Sequence, residues 1–212
     1  MIKLSKGAIP KVLEVNAEKW TRAILDQLAT GEKPGKADRA RYNHSSIKEC
    51  LVGETKGKCA YCESYIKHIS YGDIEHITPK SVDPTLWFEW TNLTLACDLC
   101  NTNKGDKSDL IDPYDDDPEN RIIFLGESAW PVPGDEAADL TSRILDLNRD
   151  ELVGRRRERI EYLVAMLKNI ASTKNENLRQ MLEQDFEIEL QNDREYASMS
   201  RRIAREMMAA AR

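Results

Sequence analysis

The chain has 212 residues, of which 41% are apolar and 32% charged, and its formal net charge is −6. This is enough apolar sequence for one substantial core or for two small units. No apolar run approaches the roughly 18 to 20 residues of a membrane span, and the first residues lack the apolar stretch of a secretory signal, so we expect a cytoplasmic protein.

The negative charge is concentrated in residues 112–140, which contain nine acidic residues and one basic residue, whereas the remaining chain carries +2. A phosphate backbone could therefore bind elsewhere on the molecule. No long stripe of Lys and Arg supplies strong non-specific affinity for nucleic acid, however. If a protein of this charge acts on nucleic acid, we expect a partner or a second copy to supply part of the binding affinity.

The N-terminal segment, residues 1–56, is predicted to be helical. An amphipathic helix is indicated over residues 16–30, with Asn16 as its cap and Gly31 after its end. Its apolar residues recur with helical spacing at Trp20, Ile24 and Leu28. A second short helix is predicted to begin near Ser45.

The chain after this segment divides into three parts by composition. Residues 57–111 are turn-rich and contain cysteines, and they show no pattern of a long helix. Residues 112–140 are acidic and rich in proline, which predicts an extended connection with one short strand at 122–125. Residues 141–212 have a helical pattern, with predicted helices over about 151–171, 176–191 and 193–211. The last helix places Tyr196, Met199, Ile203 and Met207 along one face, which is typical of core. Any apolar face left over would serve as a partner or homodimer interface. The predicted fold class is α+β and mostly α-helical.

Four of the five cysteines form two C-x-x-C pairs separated by 34 residues, namely Cys59, Cys62, Cys97 and Cys100. In a reducing compartment such pairs favour a metal over disulfides. Four thiolates satisfy tetrahedral Zn²⁺ and leave no open position for catalysis, so the site is predicted to hold one structural zinc ion. A redox role would explain one pair but not two. The remaining Cys50 is interpreted as a buried structural thiol.

The loop between the pairs contains Glu75-His76, and Asn101 follows the last cysteine. Hydrolysis of a phosphodiester needs an activated water and a cation that absorbs charge on the leaving oxygen. A histidine suits general-base work at neutral pH. Carboxylate and amide oxygens from Glu75 and Asn101 favour Mg²⁺ or Mn²⁺ over zinc.

Two lysines are candidates for phosphate contacts. If residues 98–106 form a helix, Asn101 and Lys104 are neighbours on one face, and Lys104 can meet a phosphate oxygen. Lys80 is a second, looser candidate. In a regular strand Asp73 and Glu75 share a face and His76 points away. Glu75 and His76 can therefore serve one phosphate only if the strand ends or bends there, and if the strand continues, Asp73 becomes a second candidate carboxylate.

These motifs resemble those of the HNH endonucleases. The resemblance rests on the Glu-His pair, on Asn92-Leu93 in the middle, and on Cys-x-x-Cys-Asn-x-x-Lys at the end. It implies a ββα-metal finger stapled by the zinc site and flanked by N-terminal and C-terminal helices. It also implies that Asn92 braces the loop and helps to orient His76. Many members carry His at the position of Asn101.

A wider similarity covers KCAYCE, IEHITPKS, WTNLTLACDLCNTNKGDK, LIDPYDDDP and ILDLNRDEL. These stretches resemble the HNH subunits of Septu-type and retron-associated defence systems. The resemblance implies a bacterial anti-phage role beside an ATPase partner of the ABC or SMC-like kind, which would also account for the weak basic surface.

Three hypotheses remain from the sequence. The first is a nuclease that cuts DNA or RNA. The residues of the motif would contact a phosphodiester and a metal but not a 2′-hydroxyl, so they do not distinguish the two substrates. The second is a catalytically silent zinc-ribbon module that binds nucleic acid or protein. The third is a helical scaffold, which accounts for residues 141–212 but not for the loop between the cysteine pairs.

Overall fold

The structure is a computed structural model that describes residues 1–66 and 70–210, so His68 lies outside the described residues. The described chain is mostly helical, with two small antiparallel sheets. Its elements are α1 (Lys11–Ala29), α2 (Lys36–Arg39), α3 (Ser45–Thr55), β1 (Asp73–His76), β2 (Leu93–Ala96), α4 (Asp98–Lys104), α5 (Pro118–Arg121), β3 (Ile122–Leu125), β4 (Ser128–Pro131), α6 (Glu136–Ile144), α7 (Asp150–Ser172), α8 (Glu176–Glu189) and α9 (Ala197–Ala210). The predicted fold class is confirmed.

The ββα unit consists of β1, β2 and α4. Strand β1 pairs antiparallel with β2, with Asp73 opposite Ala96 and His76 opposite Leu93. Helix α4 begins two residues after β2 and packs against β1. The strands are only four residues long, so both ends of the hairpin lie close to the loops that enter and leave it.

One cluster of buried apolar residues joins the N-terminal helices, the ββα unit and the start of the C-terminal region. It includes Leu13, Ile24, Phe88, Leu93, Leu95, Leu145, Leu152 and Met199. A smaller cluster of Leu163, Phe186 and Ala204 joins α7, α8 and α9. Because burial of apolar side chains is the main driving force of folding, the larger cluster ties the ββα unit to helices on both sides of it.

The first helix begins five residues earlier than the sequence predicts. It starts at Lys11 with Pro10 at the N-cap position, and Asn16 lies inside it, where its side chain bonds the Val12 carbonyl. Proline has no backbone N–H and fixes its own φ, which suits a helix start. Asn16 is therefore not the cap. Helix α3 begins at Ser45, as predicted.

Residues 112–140 contain more regular structure than the predicted extended connection. Strand β3 occupies the predicted residues 122–125, but it pairs with β4 through a turn at Gly126, whose φ is +60°. Helices α5 and α6 flank this hairpin. Arg121 makes ion pairs with Asp116 and Asp135, both at 2.6 Å, and lowers the pKa of Asp135 to about 2. Part of the acidic charge is thus neutralised locally.

The C-terminal helices α7 and α8 match their predicted ranges within two residues, whereas α9 begins four residues later than predicted. The turn before α9, residues 192–196, packs against the segment that contains the first cysteine pair. Tyr196, which was predicted to lie within the helix, has a φ of 53°, is buried, and its hydroxyl lies 2.9 Å from that of Ser64. Lys58 donates to the carbonyls of Asn192 and Arg194.

Among the described residues, no helix combines the length and the hydropathy needed to cross a membrane.

Candidate functional site

The four cysteines of the two C-x-x-C pairs meet at one point. Their sulfur atoms all lie within 4.8 Å of one another, and the Sγ atoms of Cys62 and Cys97 are 3.9 Å apart. Each pair forms a tight turn: Glu63 N donates to the Cys59 carbonyl in the first, and Asn101 N donates to the Cys97 carbonyl in the second. The second turn is also the start of α4. This cluster can hold a metal ion.

The surroundings of the cluster favour a bound cation. Burial raises the pKa of the Cys59 thiol well above its usual range, so four thiolates would not coexist here without a positive charge. The guanidinium of Arg149 lies next to the cluster, with Nη2 4.0 Å from the sulfur of Cys100. A divalent cation in the cluster and Arg149 beside it would together offset three of the four thiolate charges.

Two side-chain pairs connect β1 to α4. The amide Nδ2 of Asn101 donates to Oδ2 of Asp73 at 2.7 Å, and Nζ of Lys104 lies 2.8 Å from Oε1 of Glu75. Residues two apart on a strand share a face, and residues three apart on a helix are neighbours, so the two pairs lie side by side. Asn101 and Lys104 therefore occupy one face of α4, as predicted, and that face meets Asp73 and Glu75.

The Glu75–Lys104 pair is buried. Glu75 is 7% exposed and Lys104 is 1% exposed. Burial raises the pKa of the Glu75 carboxyl, and Lys104 opposes that rise. Nζ of Lys104 also donates to the carbonyl of His76 at 2.8 Å. In this structure Lys104 is thus a buried partner of Glu75, and its expected contact with a phosphate stays a prediction.

His76 is the last residue of β1 and is 3% exposed. Its Nε2 lies 2.9 Å from the backbone carbonyl of Trp87, which can only accept a hydrogen bond. Nε2 therefore carries the proton and Nδ1 keeps its lone pair. The ring of Tyr42 packs edge to face against the imidazole, with centroids 4.6 Å apart.

The charge state of His76 follows from this enclosure. Burial, with a smaller contribution from nearby Lys80, lowers its pKa to about 3, so the imidazole is neutral at physiological pH. Nζ of Lys80 lies 4.6 Å from the centre of the Tyr42 ring and donates to the Tyr42 hydroxyl at 3.2 Å. The cation at Lys80 is thereby held beside His76.

Asn92 holds the loop that follows β1. Its Oδ1 accepts from the backbone N–H of Thr78 at 2.7 Å, and its Nδ2 donates to the carbonyls of Thr78 and Leu86. The side chain is buried. These three bonds fix the start and the end of the loop that contains Lys80 and leads to Trp87, the residue whose carbonyl accepts from His76.

The structure thus places Lys104 of α4 against Glu75 near the end of β1, and Asn101 of α4 against Asp73 at its start. The His76 side chain lies on the other face of the strand and contacts Trp87 and Tyr42. Sequence reasoning missed two groups that contact His76. The Trp87 contact is made by a backbone carbonyl, which leaves no side-chain signal. Tyr42 comes from a loop 34 residues earlier in the chain, and only its aromatic character among basic residues distinguishes it.

Comparison with known proteins agrees with this geometry. Residues 59–107 match the family model "HNH endonuclease". The chain is 34% identical over 137 residues to the Septu protein PtuB of Bacillus thuringiensis, an alignment that covers 58% of this chain and 52% of that protein. It is 25% identical over 194 residues to the Septu protein PtuB of Bacillus mycoides (strain KBAB4), covering 74% of this chain and 66% of that protein.

The chain spans between about half and two thirds of the length of these relatives. The matched range 59–107 begins at the first cysteine of the cluster and includes both strands and the helix of the ββα unit. The resemblance of residues 59–107 to an HNH endonuclease domain, and of the chain to Septu proteins PtuB, is confirmed. The resemblance to retron-associated systems stays a prediction.

Proposed function

We propose that this protein is a metal-dependent endonuclease that hydrolyses phosphodiester bonds of nucleic acid, with DNA as the favoured substrate. The observation that carries the proposal is the position of Glu75 and His76. These two residues end β1 in the loop between the cysteine pairs. Lys104 of α4 contacts the Glu75 carboxylate and the His76 carbonyl, and Asn101 lies one helical turn before Lys104. A binding module would need the cysteine cluster but would not need these four polar residues together.

The two predicted metals have different donor sets. Tetrahedral Zn²⁺ with Zn–S bonds of about 2.3 Å places sulfurs about 3.8 Å apart, which is close to the 3.9 Å between Cys62 and Cys97. We therefore propose one structural zinc ion in this cluster. Glu75 and Asn101 offer hard oxygen donors, which fit Mg²⁺ or Mn²⁺. When bound, that cation would stabilise negative charge on the phosphate and the leaving oxygen.

His76 is proposed to act as the general base. Its proton sits on Nε2, bonded to the Trp87 carbonyl, so Nδ1 is the nitrogen able to take a proton from the attacking water. The low pKa of the enclosed imidazole makes it a weak base on its own. A bound phosphodiester would bring negative charge close to the ring and raise that pKa, which ties activation of water to the presence of substrate.

The other predicted residues position this centre. Asn92 fixes the loop through its three hydrogen bonds, and we propose that it orients His76 through Trp87. Lys80 is proposed as a phosphate contact, since it carries a positive charge beside His76. Lys104 is proposed to keep Glu75 ionised and to meet a phosphate when a metal replaces it at the carboxylate.

The biological role is proposed from the relatives and from charge. The similarity to Septu proteins PtuB supports a role in anti-phage defence, in which an ABC or SMC-like ATPase subunit would be the partner. The net charge of −6 also favours a partner that supplies affinity for nucleic acid. We propose that residues 141–212 provide the interface for that partner or for a second copy.

A cleavage assay tests the nuclease proposal. Purified protein with Mg²⁺ or Mn²⁺ is offered duplex DNA, single-stranded DNA and total RNA, with and without the candidate ATPase. We expect His76→Ala to lower the cleavage rate by roughly 10²- to 10⁴-fold, the usual contribution of a general base. Equal cleavage by wild type and His76→Ala would exclude the mechanism.

His44→Asn is the matched control. His44 is exposed, and its Nδ1 caps α3 by accepting from Ser46 N, a bond that Asn can replace. This variant should cleave as wild type does. No cleavage by folded wild type under any of these conditions would favour the silent zinc-ribbon module.

A further inference from the structure

Asp73 lies at the start of β1 and contacts the residue that we propose as an amide ligand of the catalytic cation. Its Oδ2 accepts from Nδ2 of Asn101 at 2.7 Å. Asp73 is half-buried, and so is Asn101. The contact joins the first residue of the strand to the first turn of a helix 28 positions later in the chain.

The chemistry of this contact selects one of the two orientations of the amide. An ionised carboxylate has no proton to donate, so only the NH₂ side of the Asn101 amide can face Asp73. The flipped amide would set its carbonyl oxygen against the carboxylate, which is repulsive. Asp73 therefore fixes Oδ1 of Asn101 on the side away from itself, and no donor among residues 1–66 and 70–210 bonds that oxygen.

The Glu75–Lys104 pair, next to the Asp73–Asn101 contact, locates the proposed cation site. Glu75 shares the strand face of Asp73, and Lys104, one helical turn beyond Asn101, contacts Glu75. The two donor groups that we propose for the cation, Glu75 and the Asn101 carbonyl, thus belong to adjacent contacts between the same strand and the same helix. The bond from Asp73 holds one of them in a single orientation.

Resting on the proposed function, we infer that Asp73 is a positioning residue of the catalytic metal site: it orients the Asn101 amide so that Oδ1 faces the cation, and it is not itself a ligand. Removing a carboxylate that hydrogen-bonds a metal ligand without touching the metal typically weakens metal binding by roughly 10- to 100-fold. This role distinguishes Asp73 from Glu75, although the two carboxylates share a strand face.

The test is a double-mutant cycle read by Mn²⁺ affinity, measured calorimetrically on full-length, zinc-loaded protein. Asp73→Ala should weaken Mn²⁺ binding by roughly 10- to 100-fold, because the amide is then free to flip. Asn101→Asp replaces the amide by a carboxylate whose two oxygens are equivalent, so it needs no orientation. In the Asn101→Asp background, Asp73→Ala should not weaken Mn²⁺ binding, because no amide remains to be oriented and the change removes a carboxylate that repels the new one.

The control for charge alone is Asp106→Ala, which removes an exposed acidic residue beyond the end of α4. Loss of Mn²⁺ affinity on Asp73→Ala in both backgrounds, beyond the effect of Asp106→Ala, would make Asp73 a ligand and overturn the inference. Failure of wild type to bind Mn²⁺ would also overturn it. Wild type that binds Mn²⁺ without cutting nucleic acid would contradict the proposed function, while the cycle would still decide the role of Asp73. Thermal unfolding and zinc content establish that each variant is folded.

Discussion

Replacement of Lys104 by Met should destabilise the protein strongly, because it leaves Glu75 buried without a partner. Lys104 is 1% exposed and its Nζ lies 2.8 Å from Glu75. Breaking a buried pair by removing one partner typically lowers the free energy of unfolding by about 3–5 kcal/mol. In a chain of this size 1 kcal/mol moves the melting temperature by roughly 2–4 °C, so we expect a fall on the order of 10 °C.

The effect should depend on pH in a defined direction. Burial already raises the pKa of Glu75 in the folded protein, and the loss of Lys104 removes the main interaction that lowers it. The folded state then holds a proton that the unfolded state has lost, so stability falls as pH rises above the ordinary carboxyl range and recovers as pH falls. Calorimetry on zinc-loaded protein, over a pH series from the ordinary carboxyl pKa of about 4.5 upward to about pH 8, measures this slope.

Two further variants make the reasoning refutable. Lys107→Met removes an exposed lysine three residues later and should leave the melting temperature unchanged. The double variant Lys104→Met/Glu75→Gln removes both charges and should recover most of the loss. A Lys104→Met protein as stable as wild type, or one whose deficit is the same at every pH, would refute the buried-pair argument. Added Mn²⁺ should stabilise Lys104→Met more than wild type, since the cation and the lysine share one carboxylate.

Three more changes have expected outcomes. Cys59→Ser should lower the metal content from about one zinc per chain and loosen the C-terminal helices, whose preceding turn docks on the first cysteine pair; metal analysis and limited proteolysis measure the two effects. Tyr42→Ala should uncover His76 and raise its pKa from about 3 toward the ordinary value of 6.5. A histidine that stays neutral in the folded state lowers the free energy of unfolding as pH falls below about 6.5, so this loss of stability should be smaller in the variant. NMR titration of the imidazole measures the pKa, and an unchanged value would contradict the enclosure by Tyr42. Asn92→Ala should lower the free energy of unfolding by about 1–3 kcal/mol, because the half-buried Thr78 amide loses its acceptor, and it should also slow cleavage. Unaltered unfolding would show that the loop holds without Asn92.

The cysteine cluster was predictable because its signal is local. Two C-x-x-C pairs specify four sulfur donors whatever the rest of the fold does, and the structure places all four together. The shared face of Asp73 and Glu75 was also predictable, since strand alternation needs no tertiary information. The shared face of Asn101 and Lys104 followed in the same way from helix periodicity.

The partners of these residues were not predictable, because they depend on how closely two elements pack. A lysine at the end of a short helix is expected to be solvent-exposed, and only the short distance between α4 and β1 makes Lys104 a buried counter-ion. The enclosure of His76 has the same origin. Tyr42 reaches the imidazole through a contact that spans 34 positions, and no periodicity within either segment records it.

The contacts between β1 and α4 separate the roles of the two proposed metals. Lys104 pairs with the Glu75 carboxylate, and the Asn101 amide donates a hydrogen bond to Asp73. Both carboxylates between β1 and α4 therefore have a partner within the protein, without a metal ion. The cysteine cluster is different, because burial holds the Cys59 thiol protonated unless a cation is present. Folding of the ββα unit should therefore depend on the ion held by the cysteines, whereas the ion at Glu75 must displace a lysine in order to bind. A site of that kind favours binding of the catalytic metal together with a phosphate, which offers the released lysine a new partner.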